Sequence, residues 1–127
     1  MTNSNSTKNI TNSSDLDSSV IRVEYPRQGV ALITISSEPL GVLRFNVKRA
    51  LQLTLAEMEA DPTVHCVVLT GAGRAFSVGS DIRDFRQDVG WLLENEYVEA
   101  GLNAAIENSR LPVVAACNGF TLGGGAV

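Results

Sequence analysis

The hydrophobic and polar positions change their spacing several times along the chain, and each change marks an element. Val20-Ile21-Arg22-Val23-Glu24-Tyr25 and Val30-Ala31-Leu32-Ile33-Thr34-Ile35 are runs rich in β-branched residues. They flank Pro26 to Gly29, so the pattern predicts a hairpin around a turn within the usual length range. From Leu43 to Glu59 the period becomes helical. Leu43, Val47, Ala50, Leu51, Thr54, Leu55 and Met58 fall on one face, and Asp61-Pro62 ends the helix because a residue before proline is pushed out of the α region. Val64 to Thr70 is a short apolar run suited to a buried parallel strand. The glycine-rich stretch Gly71 to Ser80 follows, then a short helix over Asp81 to Gln87. A second long helix is expected from Val89 to Ser109, with Trp91, Val98, Leu102 and Ala105 as its buried stripe. Pro112 to Cys117 reads as another buried strand, Asn118-Gly119 as a turn, and Gly123-Gly124-Gly125 as the opening of a further helix. Strand and helix alternate throughout, which is an α/β layout.

Residues 1–19 stand apart. Asn, Ser and Thr dominate them, with Ile10 and Leu16 the only large apolar residues besides Met1. Such a segment buries too little surface to offset its ordering entropy, and a disordered tail is expected. Its Asn-x-Ser/Thr triplets are attributed to composition. Order is expected over 20–127 as one domain.

Composition narrows the function classes. The chain has 127 residues, 44% hydrophobic, with 10 basic and 14 acidic side chains and a net charge of −4. No Lys/Arg run offers the positive face that phosphate backbones require, so no nucleic-acid partner is expected. The apolar stretch from Leu111 to Val127 is broken by Pro112, Asn118 and several glycines, so no membrane association is expected either. The polar N-terminus has no secretory pattern, and two cysteines suit a reducing cytoplasmic location. His65, Cys66 and Cys117 are expected to pack rather than react, and one His with two separated Cys makes no metal site.

The candidate chemistry lies in the two glycine-rich loops. Each follows a strand, and ligands of α/β sheets bind at the carboxyl ends of strands. Glycines let backbone N–H groups approach a ligand, so two such loops together could hold one developing oxyanion. Read singly, each loop is equally a tight strand-to-helix turn. The dinucleotide fingerprint fails because Phe76 stands where its third glycine belongs, and neither loop ends in Gly-Lys-Ser/Thr. Ser80 lies in Val78-Gly79-Ser80-Asp81-Ile82, which is no nucleophile elbow.

Gly71-Ala72-Gly73-Arg74-Ala75-Phe76-Ser77-Val78-Gly79-Ser80-Asp81-Ile82 closely resembles the first signature of the enoyl-CoA hydratase/isomerase (crotonase) superfamily. Pro112-Val113-Val114-Ala115-Ala116-Cys117-Asn118-Gly119-Phe120-Thr121-Leu122-Gly123-Gly124-Gly125 resembles the second. The resemblance covers residues 20–127 and implies the N-terminal part of a ββα spiral, cut before its C-terminal half. It implies an acyl-CoA thioester as the partner, no cofactor beyond the coenzyme A that the substrate carries, and a trimer or hexamer for a full-length relative. It further implies an oxyanion hole made by the backbone N–H groups of Ser80 and Gly124. Asp81, Ile82 and Arg83 would line the CoA strip, and Val42 would offer its backbone to the pantetheine arm. Two local alternatives stay open. Asp81 also suits an N-cap, and Arg83 suits either a phosphate contact or a solvated charge.

Two departures matter. Gly41-Val42 replaces the family's Asn-Ala, and Val127 stands where hydratases carry a glutamate that acts on water. Asp84, Asp88, Glu94 and Glu96 remain as carboxylates between the signatures, with nothing in the sequence to place them on a thioester. Two functions therefore compete: the N-terminal portion of an acyl-CoA enzyme that stabilises an enolate, or an inactive fragment that binds CoA esters or pairs with a full-length relative. The 127-residue chain by itself is expected to lack hydratase activity.

Overall fold

A computed structural model describes residues 8–9, 20–84 and 87–127, with the side chains of 8, 9 and 84 left undescribed. The strands are β1 (Lys8–Asn9), β2 (Ile21–Arg27), β3 (Val30–Ile35), β4 (Cys66–Gly71), β5 (Ala75–Ser77), β6 (Val113–Ala116) and β7 (Phe120–Thr121). The helices are α1 (Phe45–Ala60) and α2 (Val89–Glu107), with short 3₁₀ turns at Ile82–Asp84 and Gly123–Gly125. One sheet has the order β1-β2-β3-β4-β6, and β5 and β7 form a second, two-stranded sheet. β2 and β3 are antiparallel, whereas β3–β4, β4–β6 and β5–β7 are parallel. This is the expected α/β arrangement.

The core lies between the main sheet and the two helices. Ile21, Val23, Ala31, Ile33, Val67 and Leu69 turn one face of the sheet toward Val47, Leu51, Leu55 and Met58 of α1 and Leu102 of α2. Alternation in a strand sends successive side chains to opposite faces, which is why Val67 and Leu69 are buried and Val68 is not. β4 is therefore buried on one face only, not fully as its apolar run suggests.

Other boundaries differ from expectation for identifiable reasons. β2 continues through Pro26 to Arg27, leaving a two-residue turn at Gln28-Gly29. The pairing slips between Glu24 and Arg27, and such an irregularity lets a strand carry a proline that cannot donate to the ladder. β6 is an edge strand with three of its four residues exposed, so it is not the buried strand predicted from Pro112 to Cys117. The short helix expected over Asp81–Gln87 is only the 3₁₀ turn, and residues 85–86 lie outside the described set. In α2 the buried residues are Asn95, Val98 and Leu102; Trp91 and Ala105 are half-buried. The tail predicted over 1–19 lies outside the described residues except for Lys8–Asn9, which pair with β2 opposite Val23 and Arg22.

Candidate functional site

The parallel pairing of β5 with β7 lays the first glycine loop against the second. The Phe120 amide donates to Arg74 O at 3.2 Å and the Leu122 amide to Ser77 O at 3.0 Å. Asn118, expected only to turn the chain, also joins the loops. Its Oδ1 accepts from the Gly71 amide at 3.0 Å, and its Nδ2 donates to Gly73 O at 3.0 Å. A third segment is tied to the same place. Ser77 Oγ donates to Gly41 O at 2.6 Å, and the Leu43 amide donates to Gly79 O at 2.8 Å. Gly41, at φ +67°, turns the chain here, and a methyl group on it would lie 2.7 Å from Phe76 O. Glycine at this position thus has a structural reason. Val42 is buried and bridges Gly79 in parallel.

Gly79 is the hinge of the arrangement. It sits at φ +88°, and a methyl group there would approach the Gly124 amide nitrogen to 2.7 Å. Ser80 follows it directly, so the two amides anticipated for an oxyanion hole belong to adjoining pieces of backbone. The Gly125 and Ala126 amides close their turn on Leu122 O and Gly123 O. The amides of Ser80 and Gly124 donate no such bond among the described residues.

Asp81 is buried and serves as the cap of the 3₁₀ turn. Its Oδ1 accepts from the Arg83 amide and from Arg83 Nε, each at 3.0 Å, and its Oδ2 accepts from Arg44 Nε at 3.1 Å. The Arg83 guanidinium bond is the main cause holding the Asp81 carboxyl down at about 2, followed by the Arg83 amide. The same pairing pushes Arg83 upward. The Arg83 side chain is paired yet largely exposed, and Ile82 is exposed.

Lys48 is the residue that sequence reading passed over. It lies in α1, only 1% exposed, facing α2. Its Nζ donates to Ser80 Oγ at 3.1 Å, Asn95 Oδ1 at 3.3 Å and Glu99 Oε2 at 3.1 Å. An ammonium has three protons to donate, and these three acceptors account for all of them. Burial of a charge is tolerated when it is paired and hydrogen-bonded in this way. Glu99 is partly exposed, and its Oε1 lies 3.6 Å from where a methyl group on Gly124 would stand. A cavity of about 200 Å³ opens here, lined among others by Lys48, Glu99, Gly124, Phe76, Leu102 and Val113.

The other carboxylates lie elsewhere. Asp88 caps α2 by accepting from the Gly90 amide at 3.0 Å, and Glu94 and Glu96 are exposed. His65 is exposed with its ring over Gly29, and Cys66 is half-buried. Cys117 is exposed at the end of the edge strand and lines the cavity, so it does not pack as expected. No described helix is long and apolar enough to cross a membrane.

The profile of the enoyl-CoA hydratase/isomerase family matches residues 31–127, the stretch that holds both loops and Lys48. The chain belongs to the enoyl-CoA hydratase/isomerase family. This family, part of the crotonase superfamily, acts on acyl-CoA thioesters. The chain is similar to the peroxisomal bifunctional enzyme of Danio rerio, at 39% identity over 82% of this chain and 14% of that protein. Enoyl-CoA hydratase from Bacillus anthracis superposes with a TM-score of 0.79 at 28% identity, over 84% of this chain and 42% of that one. A monofunctional enoyl CoA isomerase from M. smegmatis gives a TM-score of 0.67 at 32% identity, over 84% of this chain and 44% of that one. The crotonase fold is thus present as a part, since the chain spans less than half of each of these relatives.

Proposed function

We propose that this chain carries the amide side of an acyl-CoA thioester site, in which the backbone N–H groups of Ser80 and Gly124 receive the thioester oxygen and stabilise an enolate. The observation that supports this reading is the approach of Gly79, the residue before Ser80, to the Gly124 amide, with neither the Ser80 nor the Gly124 amide donating a backbone bond among the described residues. Donors fixed in advance at a developing oxyanion cost no reorganisation when charge appears, and one such donor is worth about 3–4 kcal/mol. The adjoining strip would receive the coenzyme: Val42 through its backbone, Ile82 through its exposed side chain, and Arg83 through a guanidinium already oriented by Asp81. Coenzyme A enters as part of the substrate.

Binding without hydration is the second reading, and Val127 favours it, because a valine cannot activate water. Both readings require the amides.

The test is a pair of variants at one position, read by affinity for a saturated acyl-CoA. Ser80→Ala removes only the hydroxyl, which accepts from the buried Lys48 ammonium, and should cost about 1.5–3 kcal/mol of stability while keeping most of the affinity. Ser80→Pro removes the N–H and should abolish binding. Equal losses of affinity in two folded variants would place the interaction on the hydroxyl and exclude the amide.

A further inference from the structure

We infer that Glu99 is the catalytic residue that moves a proton at the carbon next to the thioester carbonyl. This inference rests on the thioester reading above and adds the proton-transfer group that the two amides lack. Three observations converge on Glu99. Its Oε1 is the nearest atom to the space a side chain at Gly124 would occupy, 3.6 Å away, beside one of the two amide donors. Its Oε2 is held by Lys48 Nζ at 3.1 Å, and the same ammonium bonds Ser80 Oγ at 3.1 Å, so the carboxylate is fixed relative to the other donor as well. Its side chain is 37% exposed and lines the cavity, whereas the Lys48 side chain behind it is buried. One oxygen is thereby anchored on the buried Lys48, while the other lies toward Gly124, which lines the same cavity.

The step balances without a co-reactant. Glu99 Oε1 forms an O–H bond with the proton on C2 of the acyl group. The C2–H electron pair moves into the thioester, whose oxygen takes the charge at the amides of Ser80 and Gly124. Return of the proton to C2 regenerates the ester. In a β,γ-unsaturated ester, return to C4 shifts the double bond into conjugation. One carboxylate suffices for either outcome, since it gives back what it took. Water addition needs a second group, and Val127 does not supply one. The chemistry inferred for Glu99 is enolisation or double-bond migration.

The experiment follows deuterium uptake from D2O into but-3-enoyl-CoA by mass spectrometry, on the full 127-residue chain, with affinity for the saturated butyryl-CoA measured in parallel. Wild type should exchange above the buffer background. Glu99→Gln keeps the shape and an acceptor for Lys48; it should exchange about 10²-fold more slowly or worse, with affinity within about threefold of wild type. Glu94→Gln, a change on the exposed face of the same helix, should exchange like wild type. A second arm uses Glu99→Ala, whose exchange should rise on addition of formate, a response that a purely structural role for Glu99 would not give. Exchange by folded Glu99→Gln at the wild-type rate, or no response to formate in Glu99→Ala, overturns the assignment. Wild type that binds the ester but exchanges only at background also overturns it and leaves the amide site standing. Absence of both binding and exchange overturns the thioester reading together with this one.

Discussion

Gly79→Ala isolates the contact on which the proposed site depends. Alanine at φ +88° meets the left-handed penalty of about 1–2 kcal/mol. Its methyl group would also lie 2.7 Å from the Gly124 amide nitrogen, a backbone atom that cannot rotate aside. Comfortable non-bonded separation is roughly 3.5 Å, so the loops must part or distort, at a further cost of about 1–3 kcal/mol typical of overpacking. Gly73→Ala is the matched control. Gly73 has φ +78°, and nothing lies within 4 Å of a methyl group placed on it. Both alanines restrict the unfolded chain equally, by about 0.4–1 kcal/mol, and that effect cancels in the comparison. Urea denaturation should therefore show Gly79→Ala less stable than Gly73→Ala by about 1–3 kcal/mol. With a slope of about 1–3 kcal/mol per molar, a 2 kcal/mol difference moves the midpoint by roughly 1 M. Acyl-CoA affinity should fall at least tenfold in Gly79→Ala and stay within about twofold in Gly73→Ala. Equal midpoints and equal affinities in the two variants would show that the loops do not meet at Gly79.

Two further outcomes are expected. The Asp81 carboxyl is held at about 2 against an ordinary 3.8, so its ionised form stabilises the fold above pH 3.8, and that contribution is lost as the pH falls toward 2. Acid titration of the urea midpoint should show this loss, and Asp81→Asn should flatten it. The purified chain should not hydrate crotonyl-CoA, because water activation and proton delivery each contribute about 10²–10⁴-fold and Glu99 provides for one of them. Turnover in proportion to protein, with light scattering showing a single species, would place a second acid or base within the chain.

The elements set by local periodicity were legible in the sequence. α1 and β3 lie where their spacing puts them, and the glycine loops meet as their shared position at strand ends suggests. Lys48 was not legible. It follows Val47 on the helix and has the composition of a solvent-facing residue, and the partners that make its burial tolerable lie 32, 47 and 51 positions away. The importance of Glu99 was hidden for the same reason, since nothing near it in sequence distinguishes it from Glu94 or Glu96. The exposure of β6 was hidden too, because an apolar run specifies a strand without specifying what covers it. Asp81 was readable in part: its capping role follows from position, whereas its bond to Arg44 depends on the fold.

The Asp81 cluster also governs how charge is presented to an approaching ligand. Two guanidiniums share one carboxylate there, leaving one surplus positive charge on a chain whose net charge is −4. At about 0.01 M salt the screening length is about 30 Å, so a polyanion such as coenzyme A meets the repulsion of the whole chain before it meets the arginines. At physiological ionic strength that length shrinks to about 8 Å, and distant acidic residues fade while the local pair still acts. If the coenzyme strip proposed above is the one used, moderate salt should favour encounter with this surface, the reverse of the trend for a uniformly basic binding face, with the cluster acting as a short-range beacon on an otherwise repelling molecule.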